Sequence, residues 1–328
     1  MAGLRALGFR SVVICLLIAD SLLILTSILF IGRLQIPLQD LIRWDGLASV
    51  VIPLRASRVF FATVAGFSLG VAGAVMQAIF RNPLASPDIL GVSQGAAFGA
   101  ALGILLSQPI LSVQMLSFTF ATASLAFTLA TSRLMRYGDE VLRLVLAGIA
   151  VSALFSAGVG YLKYMADPYN KLPQIVFWTM GSFASVTSHE LTWTSPLILT
   201  SITVLLMLSW RINVLSLGDE LSKSLGIDPL TVRTLSISLV VLSVSAVTSV
   251  SGIVSWVGLI SPHIARGLVG ADSRKAMPVS CLIGSILLLI SDDMARTVSP
   301  SEIPLNIVTS LASVPILIVI LSRGLRHG

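Results

Sequence analysis

Long apolar segments are the feature that most constrains this chain. About ten of them occur, and most approach the roughly 20 residues that a helix needs to cross a hydrocarbon layer of about 30 Å. Only 11% of the 328 residues are charged, whereas soluble domains carry about 25%. The sequence therefore predicts an all-α, polytopic membrane protein in which residues 1–328 form a single transmembrane domain.

Short polar loops separate the predicted spans. One further segment, 172–190, is half apolar and rich in small polar residues, and it predicts a partial helix. The predicted spans are residues 12–32, 59–80, 89–106, 113–132, 142–162, 193–210, 234–250, 252–268, 277–295 and 305–322.

Positive charge is unevenly distributed among these loops. The chain has 21 Lys and Arg residues, and most of them fall on one side of the membrane when the N-terminus is placed inside. Because cytoplasmic loops carry the excess of Lys and Arg, both termini are predicted to be cytoplasmic, in the cell (inner) membrane. The basic residues form no arm or stripe, so no nucleic-acid partner is expected.

One polar turn separates two of the apolar segments. The stretch RNPLASPDILGVSQGA, residues 81–96, places two prolines between two apolar spans. Pro83 and Pro87 prevent a continuous helix, and Ser86 or Asp88 can cap the helix that follows. Taken alone, the stretch is typical of a turn between two helices.

Glycines line one side of each helix that flanks this turn. Small residues let helix backbones approach closely in lipid, where packing drives helix association. Both ridges therefore predict tight packing within the fold. They consist of Gly66, Gly70 and Gly73 before the turn, and of Gly95, Gly99 and Gly103 after it.

The same turn carries a family resemblance. The segment MQAIFRNPLASPDILGVSQGAAFGA resembles the signature of FecCD/BtuC-type permeases, the membrane subunits of bacterial and archaeal ABC importers for ferric siderophores, heme and cobalamin. Four further blocks match in order: SLGDELSKSLGI (216–227), SGIVSWVGLISPHIARGLVGAD (251–272), DDMAR (292–296) and EIPLNIVTSLASVPIL (302–317). The residues assigned to the family motif are Arg81, Asn82, Pro83, Leu84, Pro262 and His263.

The resemblance implies a function and a set of partners. It implies a second copy of the chain around a central path, two ATPase subunits that bind ATP and Mg²⁺, and an extracytoplasmic substrate-binding protein. The implied cargo is a metal chelate, with a ferric siderophore favoured and heme, cobalamin and oxyanions such as molybdate still open. Alternating access would follow from closure of the ATPases, transmitted through residues 216–229.

The most polar long loop on the predicted cytoplasmic side, residues 211–233, is the candidate handle for an ATPase. Asp219 and Glu220 suit the start of one short helix, and Asp228 with Pro229 can begin another. Leucines every four residues give an apolar face that fits either a groove on a partner protein or the lipid surface; the resemblance favours ATPase contact. The residues assigned to coupling are Leu217, Gly218, Asp219, Glu220, Leu221, Leu225 and Gly226.

The candidates for partner contact on the predicted outer side, which the positive-inside rule leaves poor in cations, are Arg55, Arg58 and Arg296. Isolated cations at this position either anchor helix ends at the membrane interface or contact a partner. In the family, the matching arginines bind glutamates on the two lobes of the binding protein. The resemblance therefore favours docking of the binding protein on these three residues.

The sequence lacks patterns for catalysis and metal binding. It contains no P-loop pattern and no Gly-Lys pair, so ATP hydrolysis is expected on a separate subunit and no cofactor is expected in this chain. A metal site at His263 would need partners, but His189 and His327 lie in distant loops. No metal site is predicted.

A proton-coupled secondary transporter is the rival interpretation. Asp20 lies within the first predicted span, where a carboxylate is costly and often functional. No second carboxylate is predicted near it, which favours a structural role. Asp292 and Asp293 are interpreted as helix-end charges beside Arg296 rather than as a cation site.

Overall fold

The structure, a computed structural model, describes residues 8–324. Helices connected by turns and loops make up this range, and His327 lies outside the described residues. In chain order the helices are α1 (Phe9–Leu29), α2 (Leu38–Arg43), α3 (Gly46–Ile79), α4 (Val92–Leu105), α5 (Ile110–Leu134), α6 (Glu140–Met165), α7 (Lys171–Met180), α8 (Ser188–Met207), α9 (Ser209–Leu215), α10 (Asp219–Ser224), α11 (Pro229–Ser251), α12 (Val257–Val269), α13 (Ser273–Thr297) and α14 (Leu305–Gly324).

Ten of these helices form the membrane bundle, which confirms the predicted fold class. Seven are long and apolar enough to cross a membrane: α1, α3, α5, α6, α8, α11 and α13. The shorter apolar helices α4, α12 and α14 complete the set. The partial helix expected within 172–190 is α7, which ends at Met180 and is followed by a loop.

The predicted start of α3 is wrong. The helix begins at Gly46 rather than at residue 59, so Arg55 and Arg58 lie inside it. These two charges lower the local hydropathy and hide the first turns from a search for apolar segments. With 34 residues and a rise of about 1.5 Å per residue, α3 exceeds the length that a hydrocarbon layer requires.

Side-chain caps fix where several helices begin. The carboxylates of Asp139, Asp228 and Asp272 accept hydrogen bonds from backbone N–H groups in the first turns of α6, α11 and α13. At α8 the Thr187 hydroxyl and the Glu190 carboxylate form a reciprocal capping box. These caps satisfy donors that a helix leaves unpaired at its N-terminus.

Close backbone contact between helices holds the bundle together. A Cβ atom built on Gly70 of α3 would lie 2.1 Å from the backbone oxygen of Ser280 in α13, and one on Gly73 would lie 1.6 Å from that of Gly258 in α12. The second glycine ridge packs against α5, where a Cβ atom on Gly99 would lie 2.3 Å from the Leu116 oxygen. Both ridges therefore pack as the sequence predicts.

The bundle has two ends, which are named here by their loops. The loop end contains residues 80–91, 135–139, 208–228 and 270–272; the α7 end contains residues 30–45, 106–109, 166–187 and 298–304. At the α7 end, backbone hydrogen bonds run from Leu305 N–H to the Gly181 oxygen (2.9 Å) and from Ser182 N–H to the Ser251 oxygen (2.8 Å). The segment after α7 is thus fixed to α11 and α14.

Replacing Gly73 with Ala is expected to destabilise the bundle by about 1–3 kcal/mol or more, because the added methyl group overlaps a backbone oxygen that cannot rotate away. The matched control is Gly160→Ala in α6, where nothing lies within 4 Å of the added carbon. Melting temperature and the yield of monodisperse protein would measure the effect. Equal values for the two variants would contradict a tight contact between α3 and α12.

Candidate functional site

The family-motif turn after α3 is fastened to α12. Arg81 adopts a left-handed backbone conformation with φ 48°, and the Asn82 side-chain oxygen accepts a hydrogen bond from the Leu84 N–H at 2.9 Å. Nε2 of His263 donates to the backbone oxygen of Pro83 at 2.9 Å. The arrangement brings both halves of the predicted motif together and leaves the Arg81 and Leu84 side chains exposed.

Polar contacts also tie α12 to the last turns of α3. Nε2 of Gln77 donates to the Leu259 backbone oxygen at 3.1 Å, and Arg266 donates to the side-chain oxygen of Gln77. Pro262 is buried within α12. His263 therefore lies at the interface between α12 and the motif turn, where it holds the two together.

The loop between α8 and α11 contains two short helices, α9 and α10. The predicted helix that starts at Asp219 is α10, flanked by Gly218 (φ 119°) and Gly226 (φ 76°) in conformations that favour glycine. Asp228 and Pro229 do begin the second predicted helix, but its expected shortness is wrong, because this helix is the long helix α11. The apolar residues that follow Pro229 continue that helix across the bundle.

The predicted coupling leucines are exposed. Leu217, Leu221 and Leu225 have 61%, 47% and 52% of their surfaces accessible. A hollow of about 540 Å³ is lined by residues 217–221, Ser224 and Arg81. Clustered apolar exposure of this kind is typical of a protein interaction surface. Residues 217–225 together with Arg81 are called the coupling surface below.

A buried arginine fastens the coupling surface to the membrane helices. Arg233 of α11 is 1% exposed; its Nη1 contacts the Glu140 carboxylate at 2.6 Å and its Nη2 contacts that of Asp219 at 2.7 Å. Glu140 is the first residue of α6 and Asp219 the first of α10. This three-residue clasp joins α6, α10 and α11, and Asp219 serves it in addition to any contact with a partner.

At the α7 end, charged residues turn inward. Arg58 of α3 contacts Asp292 at 2.7 Å and Glu302 at 2.6 Å. The Ser182 hydroxyl donates to Glu302 at 2.9 Å. Burial opposes ionisation of Glu302, but hydrogen bonds and positive charge from Arg58 outweigh it and hold the pKa of this carboxyl below its ordinary value. The cluster joins α3, α13 and the loop after α7.

The other two predicted docking arginines also form hydrogen bonds within the chain. Arg296 donates to the Asp293 carboxylate and the Ser27 hydroxyl. Arg55 donates to backbone oxygens in the last turn of α1 and to that of Leu34 in the loop that follows.

Arg58 is therefore not an isolated cation, since Asp292 and Glu302, both distant from it in sequence, converge on it. Arg296 pairs with Asp293 of its own helix, as expected from the placement of Asp292 and Asp293 beside Arg296. The docking role of these arginines stays a prediction, and direct contact with a partner would require these pairs to open.

A cavity of about 650 Å³ lies beside α7 and opens among the loops of that end. Phe177 and Trp178 supply part of its apolar wall, while Gln108 and Gln174 add amides. Lys171 lies in the lining and donates to the Ile104 backbone oxygen at 3.0 Å. Cavities of 300–1,000 Å³ with mostly apolar walls and a few polar groups are typical of small-molecule sites. The sequence offered no signal for it, since its walls come from α4, α5, α7, α11 and the loops that follow α4 and α7.

Asp20 has a defined partner. It is buried in α1, where its carboxylate accepts a hydrogen bond from the Ser285 hydroxyl of α13 at 2.7 Å. This contact fits a structural role in packing α1 against α13. Among the described residues, no group of three or more His, Cys, Asp or Glu side chains is arranged to hold a metal ion.

Comparison with known proteins identifies the family. The model of the FecCD transport family matches residues 16–323. The chain belongs to the FecCD transport family. As a member of this family, it is a multi-pass membrane permease, the subunit of an ABC transporter that does not itself carry out catalysis.

Two permeases match this member of the FecCD family along nearly the whole length of both proteins. The molybdate import system permease MolB of Haemophilus influenzae is 36% identical over 94% of this chain and 95% of its own. The ferric enterobactin permease FepD of Escherichia coli is 32% identical over 100% and 98%. A solved inward-facing structure classed with the metal-chelate type of ABC transporter superposes with a TM-score of 0.87, at 35% identity over 96% of this chain and 99% of that one.

Breaking the clasp in this FecCD permease is expected to loosen its coupling surface. Arg233→Leu leaves Asp219 and Glu140 without their cation, which costs about 1.5–3 kcal/mol per charged hydrogen bond. The control is Arg211→Leu, at an exposed position on α9. Melting temperature and proteolytic cleavage within 216–228 would be compared; identical cleavage rates in the two variants would show that the clasp does not hold the loop.

Proposed function

We propose that the chain is the transmembrane permease subunit of an ABC importer that moves a metal chelate across the cytoplasmic membrane by alternating access, with a ferric siderophore as the favoured cargo. The observation that carries this proposal is the family match over residues 16–323. Relatives named for hemin in Yersinia pestis and for ferric enterobactin in Escherichia coli support a chelate. The relative named for molybdate keeps an oxyanion as the alternative cargo.

The proposed assembly contains two copies of this single-domain chain, two ATPase subunits that hold ATP and Mg²⁺, and an extracytoplasmic binding protein. The loop end is proposed to face the cytoplasm, with both termini, because the basic loops belong to it. The binding protein is proposed to dock on the α7 end. Arg58 and Arg296 would contribute there by holding the docking loops in shape, and Arg55 by fixing the segment that follows α1.

The coupling surface is the proposed contact with the ATPase. Its exposed leucines supply an apolar anchor, and the hollow beside Arg81 provides the concave space that an interfacial side chain of a partner fills. Because the clasp connects Asp219 to α6 and α11, displacement of α10 by a closing ATPase would be passed to two membrane helices. This connection supports transmission through residues 216–229.

The cargo is tested by transport. Proteoliposomes containing this chain, its ATPase and its binding protein are expected to accumulate a radiolabelled ferric siderophore only when ATP is supplied. Hemin, cobalamin and molybdate would be compared at equal concentration. Uptake driven by a pH gradient without ATP, and lost in Asp20→Asn, would instead support the proton-coupled alternative.

Changing Leu221 to Asp is expected to weaken ATPase binding at least about tenfold, because a charge would be buried at an apolar interface anchor. The matched control is Leu134→Asp, at an exposed leucine of the same end that lies outside the coupling surface. Co-purification of the ATPase and ATP-dependent uptake would be measured. If Leu221→Asp retained both at the level of Leu134→Asp, the coupling assignment would fail.

A further inference from the structure

A second pocket at the loop end collects more positive charge than its surroundings neutralise. It has a volume of about 280 Å³ and lies between α5, α6 and α11. Arg133, Arg143 and Arg233 line it, together with Glu140. Even when Asp219 is counted as the other partner of Arg233, three cations face two carboxylates.

Two of these guanidinium groups hold a buried N–H that lacks an acceptor. Nε of Arg143 and Nε of Arg233 are both buried and have no hydrogen-bond partner among the described residues. Both terminal nitrogens of Arg233 contact the carboxylates of the clasp. Nη1 of Arg143 donates to the Met135 backbone oxygen at 3.3 Å. Buried donors are normally satisfied by protein, water or a bound ion. Two unsatisfied donors in the lining of one pocket therefore point to a ligand that supplies acceptor oxygens.

The chemistry of the lining selects the kind of ligand. Guanidinium groups match the geometry of phosphate oxygens and bind them through charge-assisted hydrogen bonds. The hydroxyl-bearing residues Ser132 and Thr234 also belong to the lining. A phosphate group fits this combination of charge and donors better than a carboxylate, because it offers more acceptor oxygens to the converging arginines.

The position of the pocket adds a second argument. Leu129, Leu144 and Leu230 form apolar parts of its wall, and Leu230 is 56% exposed. Phosphate-binding groups therefore lie next to hydrocarbon at the end of the membrane helices. Basic pockets between transmembrane helices on the cytoplasmic side are known to bind phospholipid head groups.

We propose that this pocket between α5, α6 and α11 binds a phosphate group, supplied either by the head group of an anionic phospholipid or by free phosphate. The site is separate from the cavity of about 650 Å³ at the α7 end. Since Arg233 belongs both to the pocket and to the clasp, a bound phosphate would lie next to the residue that holds the coupling surface. The proposal does not depend on which cargo is transported.

The test uses the full chain purified in mild detergent. Native mass spectrometry and thermal-shift titration would be carried out with phosphatidylglycerol, with zwitterionic phosphatidylethanolamine and with inorganic phosphate. The wild-type protein is expected to retain and be stabilised by phosphatidylglycerol over phosphatidylethanolamine. Arg133→Ala and Arg143→Gln are each expected to weaken this binding at least about tenfold, since each removes a charged donor. Arg136→Ala is the matched control, at an exposed arginine of the neighbouring loop.

The outcomes separate the two sources of phosphate. Phosphatidylglycerol binding that inorganic phosphate does not displace identifies a lipid site, whereas saturable phosphate binding that the same substitutions weaken identifies a free-anion site. The proposal would be overturned by equal binding to wild type, Arg133→Ala and Arg136→Ala, or by a wild-type protein that binds neither phosphatidylglycerol nor inorganic phosphate. Arg133 is exposed, so its substitution keeps the test valid even if Arg143→Gln fails to fold.

Discussion

The backbone contact between α3 and α13 is the constraint on which the rest of the molecule depends. A Cβ atom on Gly284 of α13 would lie 2.2 Å from the Gly66 oxygen of α3, so the two helices touch where side chains are missing. In lipid such packing replaces the hydrophobic effect as the source of helix association. Because α3 carries Arg58 towards the α7 end and ends at Ile79, two residues before Arg81 at the loop end, this contact also fixes the two candidate interaction surfaces relative to each other.

The two ends of the bundle use charge in different ways. At the α7 end, Arg58 and Arg296 are paired with carboxylates inside the chain. A buried charge destabilises the fold when its partner is removed, because the cost of taking it out of water is then not offset. At the loop end, Arg233 is likewise satisfied in part from within, but the leucines beside it remain exposed. The α7 end is therefore held together by internal ion pairs. The loop end presents an exposed apolar surface, which the ion pairs of Arg233 hold in place.

Much of the fold could be predicted from local sequence, because apolar length defines the spans and prolines mark the turn at Pro83. The exposed apolar face of Leu217, Leu221 and Leu225 could be predicted for the same reason, since their four-residue spacing is local; their role in coupling stays a prediction. The Arg58 cluster could not, because Asp292 lies 234 residues away and no local pattern links the two. Arg55 and Arg58 hid the first turns of α3 for a related reason: their charges are neutralised or solvated only by contacts that form in the folded chain.

The segment after α7 is attached through main-chain atoms, from Gly181 to Leu305 and from Ser182 to Ser251. Bonds between backbone groups are available to nearly every residue type, so the side chains around the neighbouring cavity are free to vary without loosening its frame. The volume and polarity of this cavity can therefore change by exchange of wall residues while the main-chain contacts that frame it stay the same.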